Sequence, residues 1–282
     1  MTVWGTEVAW ERRTAIVDGL RTSYLEAGEG PPLVLLHGGE FGASAELGWE
    51  RVIGPLAKAH RVIAPDVLGF GDSAKVVDFV DGRGIRLRNI ASLCASLGIE
   101  RAGFVGNSMG AVMMLVDAAS DTPVLPVSRM IAICGGGEIL QNEHSAALFE
   151  YDATFEAMRG IVRALFADPT VPDDDGYVRR RYESSIAPGA WESVAAARFR
   201  RPGHRSSSGA SEPAYGEVAV PTLVVEGALD KLKPHGWAAG IADRIPGARS
   251  TVVPDAGHCP QLEQPRLTVE LILEWMDEGA GR

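Results

Sequence analysis

Val105-Gly106-Asn107-Ser108-Met109-Gly110 is the most informative stretch of the chain. An apolar run precedes it, and a second apolar segment, Met109 to Val116, follows with a length that suits a core helix. Between a strand and a helix, the pattern Gly-x-Ser-x-Gly forms a sharp turn in which bulky neighbours would clash and the serine hydroxyl is held in a cleft. We therefore predict that Ser108 is a catalytic nucleophile. The alternative is that Ser108 only caps a helix that starts between glycines.

Further apolar runs on both sides of this stretch predict the strands of one sheet. They are Pro32 to Leu36, Arg61 to Pro65, Arg101 to Gly106, Met130 to Cys134, Thr222 to Glu226 and Ser250 to Pro254. Helix-length amphipathic segments alternate with them, which is typical of a mostly parallel central sheet with helices on both faces. In such sheets the chemistry collects at the carboxyl ends of the strands. Five polar residues follow those predicted ends: His37, Asp66, Ser108, Asp230 and His258.

The alternation stops between residues 137 and 216, where the sequence becomes helical and charged. We expect a helical lid inserted over the strand ends, with residues 1–136 and 217–282 forming the core.

A serine hydroxyl needs a base within hydrogen-bond reach, and imidazole has a suitable pKa. We assign this role to His258, because it ends the segment Asp255-Ala256-Gly257-His258 after the last predicted strand. The chain order nucleophile, acid, histidine is also the order expected for this kind of sheet. The other histidines outside strand ends are interpreted as surface or packing residues: His60, His144, His204 and His235.

A carboxylate must hold the base in one tautomer, and Asp230 fits because it follows a strand end between nucleophile and base. Glu226 and Asp255 remain rivals for this role. Asp66 precedes the nucleophile, and we expect it to order its own loop.

The segment His37-Gly38-Gly39 lies at another strand end, where backbone N–H groups can point at a developing oxyanion. We expect the amides of Met109 and Gly39 to form the oxyanion hole. His37 is given no proton transfer.

These features predict the α/β-hydrolase fold, and within it the chain resembles the meta-cleavage-product hydrolases over nearly its whole length. The resemblance rests on four segments: Leu56 to Lys58, Arg61 to Ser73, Val105 to Gly110 and Arg181 to Gly189. It implies hydrolysis of a carbon–carbon bond in a 2-hydroxy-6-oxo-hexa-2,4-dienoate formed during aromatic degradation. No metal or organic cofactor is implied.

The resemblance also implies substrate contacts. Arg181 would bind the substrate carboxylate through two parallel hydrogen bonds, Asn107 would make a polar contact, and Gly38 and Cys259 would border the substrate. The neighbouring Arg179 and Arg180 are expected to face solvent, since one helix face cannot direct three consecutive side chains inward. The chain departs from the family at two places. Cys259 stands where the family usually has Trp, and Glu40-Phe41-Gly42 follows Gly39 where the family usually has Gly-Pro.

Other functions stay open on the same residues. An esterase or lactonase would use the same triad, an oxygenase or lyase without cofactor would use His258 as base, and a non-catalytic protein would keep the pocket for a ligand. Labelling of Ser108 by a fluorophosphonate separates the last of these from an enzyme.

The resemblance implies a small carbonyl substrate that carries a carboxylate, and the composition argues against larger partners. The net charge of −10 argues against nucleic acid and anionic membranes. The three cysteines are too few and too widely spaced for a disulfide framework or a zinc knuckle, so we expect reduced thiols and no metal site. Residues 1–13 lack the apolar stretch of a secretory signal, so a cytoplasmic location is expected. The sequence leaves open whether copies form a homo-oligomer.

Overall fold

The computed structural model of the protein describes residues 9–196 and 213–278. Its strands are β1 (Glu11–Val17), β2 (Leu20–Ala27), β3 (Pro32–Leu36), β4 (Arg61–Pro65), β5 (Ala102–Asn107), β6 (Val127–Ile133), β7 (Thr222–Gly227) and β8 (Arg249–Val253). They form one sheet in the order β1-β2-β4-β3-β5-β6-β7-β8. All pairs from β4 to β8 are parallel, whereas β1 with β2 and β2 with β4 are antiparallel. The predicted, mostly parallel sheet is confirmed.

Helices connect and cover the strands. They are α1 (Ala45–Trp49), α2 (Ile53–Leu56), α3 (Gly82–Ser96), α4 (Met109–Ala118), α5 (Glu143–Phe149), α6 (Phe155–Leu165), α7 (Asp175–Ile186), α8 (Ala190–Ala196), α9 (Trp237–Ala242), α10 (Pro260–Glu263) and α11 (Pro265–Asp277). Short 3-10 turns lie at Val171–Asp173 and Tyr215–Glu217. No helix within residues 9–196 and 213–278 is both long and apolar enough to cross a membrane.

The central strands are buried on both faces because their side chains alternate between two cores. In β3, Val34 and Leu36 pack into the core that contains residues of α3, α4 and α9, while Leu33 and Leu35 pack into the core under α2 and α11. Helices therefore cover both faces of the sheet, as the sequence predicts. This arrangement fixes the carboxyl ends of β3, β5, β7 and β8, from which the polar residues emerge.

One predicted strand begins later than the observed one. The apolar pattern suggests a start at Met130, but β6 already begins at Val127. Two polar residues obscure the pattern: Ser128 donates its hydroxyl to the Ala102 carbonyl at 2.8 Å, and the Arg129 guanidinium stacks over Trp275. Both are tolerated at the amino end of a strand because their polar groups find partners there.

The antiparallel hairpin of β1 and β2 is absent from the sequence prediction. Its turn consists of Asp18 and Gly19, which both have a left-handed backbone (φ 50° and 79°). Asp-Gly is the residue pair that two-residue hairpin turns prefer, so the turn itself was a usable signal. The strand β1 is mostly exposed, which weakens its apolar pattern.

The chain between β6 and β7 contains α5 to α8. Helix α6 buries an apolar stripe of Met158, Ile161, Val162 and Leu165, and its last carbonyl, that of Leu165, accepts a hydrogen bond from the His258 amide at 2.8 Å. The boundaries of the lid at residues 137 and 216 stay a prediction, and residues 197–212 of it lie outside the described part of the chain.

Candidate active site

Ser108 is the single residue between β5 and α4, and its backbone is strained, with φ 50° and ψ −110°. Its amide donates to the Ile133 carbonyl at 2.8 Å, which ties the turn to β6. The glycine at position 106 is required by space: a Cβ there would come within 2.5 Å of the Ala111 nitrogen. The strained backbone of Ser108 and the tight packing at Gly106 agree with the predicted nucleophile turn. Backbone strain of this kind persists only where the surrounding structure enforces it.

His258 and Asp230 form a buried pair. The Nδ1 atom of His258 lies 2.8 Å from Oδ2 of Asp230, and the Asp230 Oδ1 atom accepts the Leu232 amide at 2.9 Å. Burial alone would raise the pKa of the Asp230 carboxyl, but the charge and hydrogen bond of His258 outweigh it and lower the pKa. The carboxylate is therefore ionised near neutral pH and holds one orientation of the imidazole ring.

The other candidate acids have different surroundings. Glu226 accepts the amides of Gly236 and Ala238 and so holds the start of α9. Asp255 is exposed. Asp66 accepts the Ala45 amide at 2.8 Å and the Asp72 amide at 2.9 Å, which is the loop-ordering role expected of it.

His37 is engaged at both ring nitrogens. Its Nδ1 atom lies 2.6 Å from the Gly38 carbonyl oxygen and donates to it, and its Nε2 atom accepts the Val67 amide at 3.0 Å. Burial lowers the pKa of His37, which keeps the ring neutral. These contacts hold the loop after β3, where a Cβ on Gly39 would meet the Met109 side chain at 2.8 Å. The Met109 side chain thus packs against Gly39, which makes the two residues predicted to form an oxyanion hole neighbours.

Asn107 precedes Ser108 and is buried. Its Nδ2 atom donates to the His258 carbonyl at 2.9 Å, and a longer contact of 3.4 Å reaches the Ile133 carbonyl. This amide therefore fastens the His258 loop to the strand that carries Ser108. The sequence indicated a polar role for Asn107 but not this one, and its contact with substrate stays a prediction.

Comparison with known proteins agrees with this geometry. The model of the alpha/beta hydrolase family matches residues 33–271. A 2-hydroxymuconate semialdehyde hydrolase of Pseudomonas sp. (strain CF600) is 32% identical over 95% of this chain and 94% of its own. The chain belongs to the α/β-hydrolase family, among its meta-cleavage-product hydrolases.

Two further proteins are similar to this α/β-hydrolase over almost its whole length. The 2-hydroxy-6-oxo-6-(2'-aminophenyl)hexa-2,4-dienoic acid hydrolase of Metapseudomonas resinovorans is 31% identical over 98% of this chain and 94% of its own. The solved structure of a meta-cleavage product hydrolase from Pseudomonas fluorescens IP01 is 28% identical, has a TM-score of 0.82, and aligns with 96% of this chain and 98% of its own.

The three consecutive arginines of this hydrolase point in different directions. Arg180 forms an ion pair with Glu50 at 2.7 Å, and the Arg179 guanidinium lies over the ring of Phe155. Arg181 is buried, with 1% of its side chain exposed. Only one of the three lies in the interior, as helix geometry requires.

Arg181 is paired within the chain. Its Nη2 atom donates to the Glu40 carboxylate, and its Nη1 atom donates to the Tyr177 hydroxyl at 3.0 Å. The sequence predicts Arg181 as a ligand of the substrate carboxylate but contains no sign that a residue far away in the chain already contacts it. Binding of substrate by Arg181 stays a prediction.

Cys259 and Gly38 border the same region. Burial, followed by the nearby charge of Glu40, raises the pKa of the Cys259 thiol well above its ordinary value, so the thiol is neutral. Glu40 Oε2 occupies the space that a side chain on Gly38 would take, and Asn107 Oδ1 lies 3.4 Å from the same point. The glycine at position 38 therefore leaves room for the Glu40 carboxylate.

Cys134 is a third polar group beside Asp230 and His258. Ligand atoms of Cys134, Asp230 and His258 lie within 4.8 Å of one another, the one grouping of potential metal ligands among the described residues. Burial and the charge of Asp230 raise the pKa of the thiol. A metal ion would need the thiolate and would compete with the bond between His258 and Asp230, so these residues suit an acid–base pair better than a metal site.

The remaining histidines lie away from the pair. His60 is buried near the amino end of β4, where burial lowers its pKa. His144 and His235 belong to α5 and to the turn before α9. His204 lies outside the described residues.

Proposed function

We propose that this protein hydrolyses a carbon–carbon bond in a 2-hydroxy-6-oxo-hexa-2,4-dienoate produced by aromatic ring cleavage. The observation that carries the proposal is the buried hydrogen bond between His258 and Asp230, in a loop that Asn107 joins to the strained turn of Ser108. The two relatives described above supply the substrate class, because one is named as a hydrolase of 2-hydroxymuconate semialdehyde and the other as a hydrolase of a 2-hydroxy-6-oxo-hexa-2,4-dienoic acid.

The pocket would first convert the dienol to its keto form, placing a proton on C5. This step makes C5 part of a group that can leave as a stabilised enolate. Ser108 Oγ would then attack the C6 carbonyl while His258 takes the hydroxyl proton, and Asp230 would stabilise the imidazolium that forms.

The negative oxygen that forms at C6 would receive hydrogen bonds from the amides of Met109 and Gly39. One donor of this kind contributes about 3 kcal/mol to transition-state binding in comparable sites. Cleavage of the bond between C5 and C6 would transfer the proton from His258 to the departing enolate and leave an acyl group on Ser108, so that His258 is neutral again. Water, deprotonated by His258, would then release that group as a carboxylic acid.

Ester or lactone hydrolysis is a second candidate, favoured by one observation: Arg181 is already paired with Glu40. A neutral ester places no carboxylate at that position. The same triad would carry out both reactions, so substrate comparison must separate them.

The test measures the loss of visible absorbance of a series of 2-hydroxy-6-oxo-hexa-2,4-dienoates beside matched p-nitrophenyl esters. We expect dienoate turnover to exceed ester turnover and to vanish in Ser108→Ala. The control is Ser96→Ala, whose hydroxyl only contacts the Leu93 carbonyl on α3. Ester turnover without dienoate loss would refute carbon–carbon hydrolysis and leave the triad standing.

A further inference from the structure

Glu40 and Arg181 form a buried ion pair that joins the loop after β3 to helix α7. The exposed fractions of the two side chains are 11% and 1%. Arg181 also carries its own hydrogen bond to Tyr177, and a Cβ on Gly42 would collide with the Arg181 carbonyl, so the loop and the helix touch through backbone as well.

The pair lies next to the reacting groups. Glu40 Oε2 lies against the Cα of Gly38, beside Asn107 Oδ1. Gly39, which follows Gly38, contacts the side chain of Met109. The carboxylate is therefore one residue from a predicted oxyanion donor and shares the surroundings of the residue before Ser108.

Both members of the pair are charged, and their charges cancel. Burial would raise the pKa of the Glu40 carboxyl, but the positive charge and hydrogen bond of Arg181 lower it below its usual range. Tyr177 stays neutral because burial raises its pKa to about 12. The guanidinium that would bind a substrate carboxylate thus already holds one.

We propose that Glu40 is a specificity-determining residue, which competes as a resident carboxylate with the dienoate carboxylate for Arg181 and so weakens the binding of ligands that are charged at that end. The reaction itself rests on the function proposed above. An incoming carboxylate must either displace Glu40 from Arg181 or lie beside a like charge in a buried site, and both cost binding free energy. An amide, ester or hydroxyl end meets neither cost.

The test compares benzoate with benzamide, which differ at one end in charge but hardly in shape. Both are measured as inhibitors of Ser108 labelling by a fluorophosphonate, a readout that does not depend on dienoate turnover. In the wild type we expect benzamide to protect at the same or lower concentration than benzoate. In Glu40→Gln the benzoate concentration needed should fall by about tenfold or more, and the benzamide concentration should stay within about twofold.

Two variants test whether the effect comes from this pair. Glu50→Gln removes the carboxylate that binds Arg180, one residue along the same helix but on the surface, and should change neither inhibitor. The double variant Glu40→Gln with Arg181→Gln carries no charge at either of these two positions, and the gain for benzoate should disappear. An unchanged benzoate-to-benzamide ratio in Glu40→Gln would overturn the proposal.

Two outcomes separate this proposal from the proposed function. If no variant bleaches a dienoate or its methyl ester while the inhibitor pattern holds, carbon–carbon hydrolysis fails and the role of Glu40 stands. If Glu40→Gln does not fold, the comparison of the two inhibitors in the wild type is the test. Benzoate binding about tenfold more tightly than benzamide would then refute a resident carboxylate at Arg181. With dienoates, the Glu40→Gln change should appear in KM and leave kcat unchanged.

Discussion

Replacement of Gly106 by alanine should damage the site through the backbone alone. The new Cβ would lie 2.5 Å from the Ala111 nitrogen and from the Gly110 carbonyl carbon, whereas real Cβ atoms almost never approach closer than 3.0 Å. Neither contact is a flexible side-chain end, so the first turn of α4 must move away from β5 by about half an ångström. Ser108 and the Met109 amide lie in the segment that moves.

The size of the effect follows from that displacement. A misplacement of about 1 Å costs about 100-fold in rate, so half of it should reduce kcat by about tenfold. Overpacking should also lower the free energy of unfolding by about 1–3 kcal/mol. The two values are measured by dienoate or ester turnover and by urea unfolding.

Gly103→Ala is the matched control because it lies in the same strand. Its Cβ would also approach an atom to 2.5 Å, but that atom is the Met276 sulfur, the end of a flexible side chain. We expect kcat to be unchanged and stability to change by less than about 0.5 kcal/mol. Equal losses in both variants, or wild-type behaviour of Gly106→Ala, would refute the reasoning.

Three further predictions follow from the charged and thiol groups. Asp230→Asn should lower kcat by about 10⁴-fold, because the imidazole of His258 would no longer be held in the required tautomer. Asp255→Asn changes an exposed residue with a left-handed backbone and should leave kcat unchanged. Similar rates in the two variants would contradict the role assigned to Asp230. The pKa of Glu40 is lowered in the folded protein. Its contribution to stability is therefore present above the unfolded-state pKa of about 4.3 and is lost as the pH falls through the folded-state pKa. The difference in unfolding free energy between wild type and Glu40→Gln should shrink toward acid pH, and a constant difference would argue against an ionised Glu40. The thiols of Cys94, Cys134 and Cys259 are buried and have raised pKa values, about 12 for Cys94. A thiol reagent at neutral pH should modify them slowly in the native protein and completely in denaturant. Rapid modification of the native protein would contradict buried, neutral thiols.

Local patterns are sufficient to predict the central sheet and the positions of Ser108, Asp230 and His258. Each of these residues follows a short apolar run, and strand ends that lie side by side bring them to one edge. The β1–β2 hairpin also had a local signal in Asp18-Gly19, which the weak pattern of the exposed β1 obscured.

The pairing of Glu40 with Arg181 has no local signal. The two residues are 141 positions apart in the chain, and their contact depends on how α7 packs against the loop after β3. The role of Asn107 in fastening the His258 loop is equally non-local, with 151 positions between them. Sequence patterns indicate which residues are polar and near strand ends, but tertiary packing selects their partners.

The end of α6 and the loop of His258 are joined by one backbone hydrogen bond and by the side-chain carboxylate of Glu263. The Leu165 carbonyl accepts the His258 amide, and Glu263 accepts the amides of Ala167, Asp168 and Gly257. An evolutionary exchange of the helices between β6 and β7 for others would therefore also remove contacts that hold the His258 loop. Point changes in α7 and α8 leave these contacts intact, so we expect them to disturb the His258 loop less than replacement of the segment that ends in α6.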